Sequence, residues 1–233
     1  MGSIMCKISR FIFLFLVCMA IPLQASAWYD ETHLAIAKIT GYPKWYNATG
    51  ADIAKVKAGY KERHNHYSNN PPDVKITSEM VLSQVEKYNK TEMQGHLYGA
   101  IIASLRDYIR AKSSGKYGEY HLAYCIHYVG DLSMPLHNTL YNFFNMRNHS
   151  KIDGTINDEV LDNLDKIKIY PIKIESEEDL AAEIARIANL SKELGYQIQH
   201  ENRLLTKEEA YTQISHSASL LKAILAHVEN ANR

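Results

Sequence analysis

Residues 119–137 read EYHLAYCIHYVGDLSMPLH. Apolar side chains run through 119–132 with histidines set among them, and Pro135 cannot continue a helix. A helix over 119–132 therefore carries His127 and Asp131 four residues apart. On a helix that spacing puts both side chains on one face, about 5–6 Å apart, which suits two ligands of one metal ion. His137 falls beyond the helix end and approaches from another direction. Further on, His149 and Asp153 repeat the four-residue spacing.

Helical periodicity extends outward in both directions from this stretch. Residues 95–111 set Leu97, Ile101, Leu105 and Tyr108 on one stripe, and residues 77–89 do the same with Met80, Val81, Val85 and Tyr88. Residues 31–40 space Ala35, Ile36 and Ile39. Residues 176–194 carry Leu180, Ile184, Ile187 and Ala188 behind Ser176, a suitable N-cap. Residues 206–229 open on Thr206 and Glu209, a capping box, and continue through Ile214, Ala218, Leu221, Leu225 and Val228. Core packing is the ordinary purpose of each stripe. The alternating segment 167–174 (IKIYPIKI) is interrupted by Pro171, which confines it to an edge or a loop. Loops are expected at 41–50, 61–76, 112–118 and 138–152. The fold expected is all-α, a single compact multi-helix domain.

Composition supports a globular chain. With 233 residues, 46% hydrophobic and only 11 Gly and 6 Pro, disorder and collagen-like repeats are excluded. The balance of 26 Lys+Arg against 26 Asp+Glu removes the basic excess of a nucleic-acid clamp, though a small charged pocket stays open. The unusual figure is 11 His, which directs attention to metal binding or proton transfer.

The first residues have the pattern of an export signal. Lys7 and Arg10 precede an apolar run from Phe11 to Leu23, too short to span a bilayer, and Ala25-Ser26-Ala27 is a small-x-small cleavage site. Cleavage after Ala27 leaves 233 − 27 = 206 residues beginning at Trp28. It removes Cys6 and Cys18, so that Cys125 alone remains and no internal disulfide can form. A secreted or periplasmic protein of this kind draws its stability from packing or bound metal.

No single histidine carries this argument, since one imidazole on an apolar helix is more often a packed, hydrogen-bonded residue. The pattern as a whole resembles the superfamily of zinc-dependent phospholipase C and trinuclear-zinc single-strand nucleases. The resemblance rests on Trp28 after the signal site, on His33, on His127-x3-Asp131-x5-His137 within HYVGDLSMPLH, and on His149-x3-Asp153; it spans residues 28 to about 160.

That resemblance implies a cleft holding three zinc ions. Asp73, His96, His127 and Asp131 would hold one. His137, His149 and Asp153 would hold a second. The α-amino group and carbonyl oxygen of Trp28, with His33 and Asp131, would hold a third, making Asp131 a bridge. The interval from Asp73 to His96 is longer than the family pattern, which leaves His66 as the alternative to Asp73. An α-amino group has a pKa of about 8, so it becomes a ligand at little cost once the signal is removed.

The activity implied is hydrolysis of a phosphodiester by metal-activated water, with Asp73 as a candidate proton acceptor. Phospholipase C action on phospholipids, with transient contact at a membrane surface, is the first expectation. A single-strand nuclease or nucleotidase, with Tyr42, Tyr46 and Tyr67 as stacking candidates, is the second. A non-catalytic exported metal-binding protein is the reading from another class, and no obligate protein partner is evident. Patterns for metalloproteases (H-E-x-x-H), di-iron bundles (E-x-x-H), covalent haem (C-x-x-C-H) and serine hydrolases (G-x-S-x-G) do not occur in the sequence.

Overall fold

The computed structural model describes residues 28–230. The expected export signal lies outside the described residues. Ten α-helices are described: α1 (Asp30–Ile39), α2 (Gly50–Ala58), α3 (Tyr60–Arg63), α4 (Ser78–Ser83), α5 (Leu97–Ser113), α6 (Glu119–Leu132), α7 (Phe143–Asp153), α8 (Asn157–Val160), α9 (Glu177–His200) and α10 (Lys207–Asn230). Short 3₁₀ turns lie at Trp45–Asn47, Val85–Lys87, Pro135–His137 and Leu164–Lys166. Among the described residues no strand forms, and an isolated bridge joins Ser68 to Gly95. The all-α expectation holds, as one helical domain. No described helix is long and apolar enough to cross a membrane.

Helix α6 lies at the centre. It packs against α5, α10, α2 and α1, and every residue from Cys125 to Leu132 is buried. A helix of its 14 residues is marginal alone in water, so its stability comes from this packing. Its neighbour α5 buries Leu97 through Leu105. Caps fix the long C-terminal helices. Ser176 and Asp179 close a reciprocal capping box on α9. The Glu209 carboxylate accepts from the Thr206 backbone N–H at 2.9 Å, while Thr206 Oγ1 accepts from the Glu209 N–H at 3.2 Å.

Two segments depart from expectation. The stripe over 77–89 divides into α4 and the 3₁₀ turn at 85–87. There the Gln84 side chain accepts the Tyr98 and Gly99 N–H groups at 3.2 and 3.4 Å, two donors that α5 cannot satisfy internally. The alternating segment 167–174 is a loop, one of the two alternatives Pro171 left, and it is held to a helix: Lys168 and Tyr170 N–H donate to Ser215 Oγ and Ser219 Oγ, one turn apart on α10. The second departure matters most for the site. Helix α7 occupies much of the stretch expected as the loop 138–152. Asn142 caps it, accepting from Asn145 N–H at 3.0 Å. Its buried residues are Asn145, His149, Ile152 and Asp153, so its inward stripe is polar and apolar periodicity does not reveal it.

Candidate metal centre

Helix α6 presents His127 and Asp131 from one wholly buried face, with His127 Nε2 3.4 Å from Asp131 Oδ2. Four other segments converge on this pair. From α1, His33 stacks on the His127 ring with centroids 3.8 Å apart, and its Nε2 lies 3.4 Å from Asp131 Oδ1. From α2, Asp52 Oδ2 lies 3.7 Å from His127 Nε2. From the segment after α3, His66 Nδ1 lies 2.8 Å from Asp131 Oδ2 and 3.9 Å from Asp52 Oδ1. From the turn after α6, His137 Nδ1 lies 3.6 Å from Asp131 Oδ1. The two oxygens of Asp131 thus face different partners: Oδ2 faces His66 and His127, and Oδ1 faces His33 and His137. On the far side of His137, its Nε2 meets His149 Nε2 at 3.1 Å, and His149 Nε2 lies 3.5 Å from Asp153 Oδ2.

Three groups have all their donor atoms within 4.8 Å of one another: His33, Asp52 and His127; His66, His127 and Asp131; and His137, His149 and Asp153. Tetrahedral zinc with ligand distances of about 2.0–2.1 Å sets its donors roughly 3.3 Å apart. The 3.1 and 3.5 Å spacings of the third group bracket that value.

The donor chemistry fits a divalent cation. His33 Nδ1 and Nε2, His127 Nε2, Asp131 Oδ1, His137 Nδ1 and both oxygens of Asp153 are buried without a hydrogen-bond partner. Buried polar atoms are nearly always satisfied, and the orphans concentrated here sit on side chains of the types that coordinate a cation. Two of the imidazoles are already set for ligation. His127 Nδ1 faces the Ala48 carbonyl at 2.9 Å and His149 Nδ1 faces Asn145 Oδ1 at 2.6 Å. Each acceptor favours N–H at Nδ1 and leaves the Nε2 lone pair for a metal.

The electrostatics divide the donors into two sets. Burial pushes the Asp153 carboxyl well above its ordinary range, helped by the charge of Asp131 and opposed by that of Lys55. Burial also lowers His33, helped by the neighbouring His127, and brings His137 down to about 4. Burial opposes ionisation of Asp131 too, but the charges of His127 and His137 and bonds from His127 and His33 outweigh it and hold the carboxyl well below its usual range. His127 is the counterpart: against burial, Asp131 and Asp52 raise it to about 9. Neutral imidazoles and ionised carboxylates are the forms that bind metal, so His33, His137 and Asp131 are held in ligand form, whereas His127 and Asp153 must each release a proton to coordinate an ion.

Of the residues expected from sequence, His33, His127, Asp131, His137, His149 and Asp153 come together. Asp73 and His96 do not join any of the three groups. Asp73 is exposed, in a loop held to α9 by Lys192, whose ammonium donates to the Pro72 and Val74 carbonyls. The proton-acceptor role expected of Asp73 is withdrawn with its ligand role. His96 is buried and turned to Asn65, with Nε2 2.8 Å from Asn65 Oδ1. His66, the alternative, stands in the site. Asp52 was not anticipated: it has Lys55 three residues on and no histidine at helical spacing, so the sequence holds no signal for it. Trp28 is wholly buried, and its indole N–H donates to Ser133 Oγ at 3.4 Å, which pins the segment before α1 to the C-terminal end of α6.

His66, His137 and His149 line a cleft of about 260 Å³ together with Lys55, Arg63 and Tyr141. A larger depression, about 410 Å³, is bordered by Glu159, Lys166, Lys207 and Tyr211 and contains none of the converging donors. Compared with known proteins, the chain matches no family model and no curated protein.

Two expected results test the site as a metal centre. An ion present at a thousand times its dissociation constant stabilises a fold by about 4 kcal/mol. At about 2–4 °C per kcal/mol for a domain of this size, chelation should lower the Tm by roughly 10 °C, measured by calorimetry, and zinc should restore it. The second concerns Gly130. A Cβ there would lie 2.4 Å from His33 Nδ1, and His33 is stacked on His127 and cannot swing aside. Gly130→Ala should therefore cost about 1–3 kcal/mol and bind fewer ions than wild type by elemental analysis. Wild-type metal content in that variant would remove His33 from the centre.

Proposed function

We propose that this protein is an exported, zinc-dependent phosphodiesterase, with phospholipase C action on phospholipids as its first activity. The observation that carries the reading is the pair of wholly buried carboxylates, Asp131 and Asp153, whose oxygens, three of them without a hydrogen-bond partner, face imidazole nitrogens beside an open cleft. Asp52, His66, His127 and Asp131 would hold one ion, His137, His149 and Asp153 a second, and His33 with Asp131 part of a third. Bound zinc supplies Lewis acidity toward a phosphoryl oxygen and lowers the pKa of bound water.

The chain's own residues supply the rest. Lys55 and Arg63 border the cleft and attract an anionic phosphate. Asp52 holds the Lys55 ammonium through a short contact, so this cation is directed beside the donor cluster. Met93 and Tyr141 line the same cleft and are 80% and 50% exposed, an apolar mouth suited to the glycerol part of a lipid. The N-terminal signal and cleavage before Trp28 belong to this proposal, with the freed amino group completing the third site. Trp28, anchored two residues beyond Asp131 in sequence through Ser133, supports that arrangement.

One observation favours the nuclease reading as second. Tyr67 and Tyr141 both line the cleft, and tyrosine faces stack on bases. Tyr42 is buried, however, so that expected stacking role is withdrawn.

The test is a parallel assay of the purified protein on phosphatidylcholine and on single-stranded DNA, with and without chelator. Chelator-sensitive release of phosphocholine supports the first reading, and cleavage of DNA alone supports the second. Zinc binding with no phosphodiester hydrolysis leaves a non-catalytic metal-binding protein and overturns both.

A further inference from the structure

Behind His66 lies a buried acid that the metal groups do not use. Glu62, on α3, is 4% exposed. Its Oε1 lies 3.6 Å from His66 Nε2, and among the described residues His66 is its ionic partner. The opposite ring nitrogen, Nδ1, is the one that faces Asp131 and Asp52. The carboxylate is itself held. The Tyr128 hydroxyl donates to Oε1 in a short contact, and Asn65 Nδ2 donates to Oε2 at 3.0 Å. Asn65 is fixed in turn by Asn89, whose N–H donates to Asn65 Oδ1 at 3.1 Å, and by His96 Nε2 on the same oxygen at 2.8 Å.

We propose that Glu62 is the positioning residue of the metal centre, fixing His66 so that Nδ1 is presented to the ion while Nε2–H is directed at the carboxylate. The inference rests on the metal centre proposed above. A buried carboxylate is costly unless it is paired and hydrogen-bonded. Here the pairing is with an imidazole whose Nε2 has no hydrogen-bond partner and whose other nitrogen points into the donor cluster. A carboxylate behind a metal-bound histidine sets the tautomer and ring orientation and raises the basicity of the ligating nitrogen. The arrangement also gives His96 a place: it stands two steps behind the ligand, through Asn65 and Glu62. Tyr128 follows His127 directly on α6, so one helix supplies a ligand on one face and a support for Glu62 on another.

The alternative is that Glu62 only ties α3 to α6. Stability alone does not separate the two, so the decisive readout is metal affinity. Protein purified from the full-length sequence is compared with Glu62→Ala, Glu62→Gln and Tyr128→Phe by zinc competition against a chromophoric chelator and by the visible spectrum of the cobalt-substituted form. Glu62→Ala should weaken one ion by about 10- to 100-fold and shift the cobalt bands. Glu62→Gln keeps shape and an acceptor but loses charge, and should weaken that ion less. Tyr128→Phe should have the smallest effect. If Glu62→Ala does not fold, Glu62→Gln decides. Wild-type affinity and spectrum in the folded Glu62 variants, whatever their Tm, overturn the positioning role. Wild-type protein that binds neither zinc nor cobalt overturns the metal centre itself, a result visible before any variant is made.

Discussion

Asp131→Asn should abolish the proposed phosphodiester hydrolysis on whichever substrate proves active. The carboxylate has four imidazoles around it: His66 and His127 toward Oδ2, His33 and His137 toward Oδ1. Asparagine keeps the volume and removes the charge and one acceptor oxygen. Its amide nitrogen, a donor, cannot ligate. Metal ions supply several kcal/mol of transition-state stabilisation in such chemistry, and each 1.36 kcal/mol is tenfold in rate. The expected loss in kcat/KM is therefore at least about 10³-fold, with reduced metal content by elemental analysis. The free imidazoles change as well. His127 is raised against burial chiefly by Asp131, so in the variant its pKa should fall, observable by NMR titration of the chelated protein. Turnover within tenfold of wild type would remove Asp131 from the centre.

Asp153→Leu should have opposite effects with and without metal. Asp153 is wholly buried, and neither oxygen has a hydrogen-bond partner. Without an ion these atoms have been desolvated for no return, at about 1–3 kcal/mol per unsatisfied group. An apolar side chain of similar size removes that cost. In chelator the variant should unfold at higher urea, a gain of about 1–3 kcal/mol. In zinc it should be less stable than wild type, because His137 and His149 alone make a poor site. A residue present for folding alone would lower stability in both conditions. One present for metal gives the crossing, and its absence would refute the assignment of Asp153 as a ligand.

The fold was legible where burial is apolar. The stripes over 95–111, 176–194 and 206–229 became α5, α9 and α10, and the segment 119–132 became α6 with the same bounds. Helix α7 was hidden because the face it buries carries Asn145, His149 and Asp153, side chains that periodicity scores as solvent-facing. The same polar burial made the site partly legible. His127 with Asp131 and His149 with Asp153 are each one turn apart within a helix, and each pair meets as the spacing requires.

Ligands without such a partner were harder. Asp52 and His66 sit 14 residues apart on different segments, and only tertiary packing brings their atoms to 3.9 Å. Asp73 and His96 are ordinary ligand types at plausible positions. One loop held by Lys192 and one contact with Asn65 turn them to other purposes.

The donors come from positions 33 to 153, a span of 153 − 33 = 120 residues, and from Trp28 onward the sequence contains a single thiol, Cys125, which is buried. Covalent stitching within that stretch is therefore closed to the molecule. Closing a loop of about 100 residues by a cross-link is worth about 4–5 kcal/mol in the chain-entropy model. In the proposed centre, coordination would serve as the stitch, undone by scarcity of the ion and remade on its return, so that the stability of the folded state would be set by the surrounding medium as much as by the polypeptide.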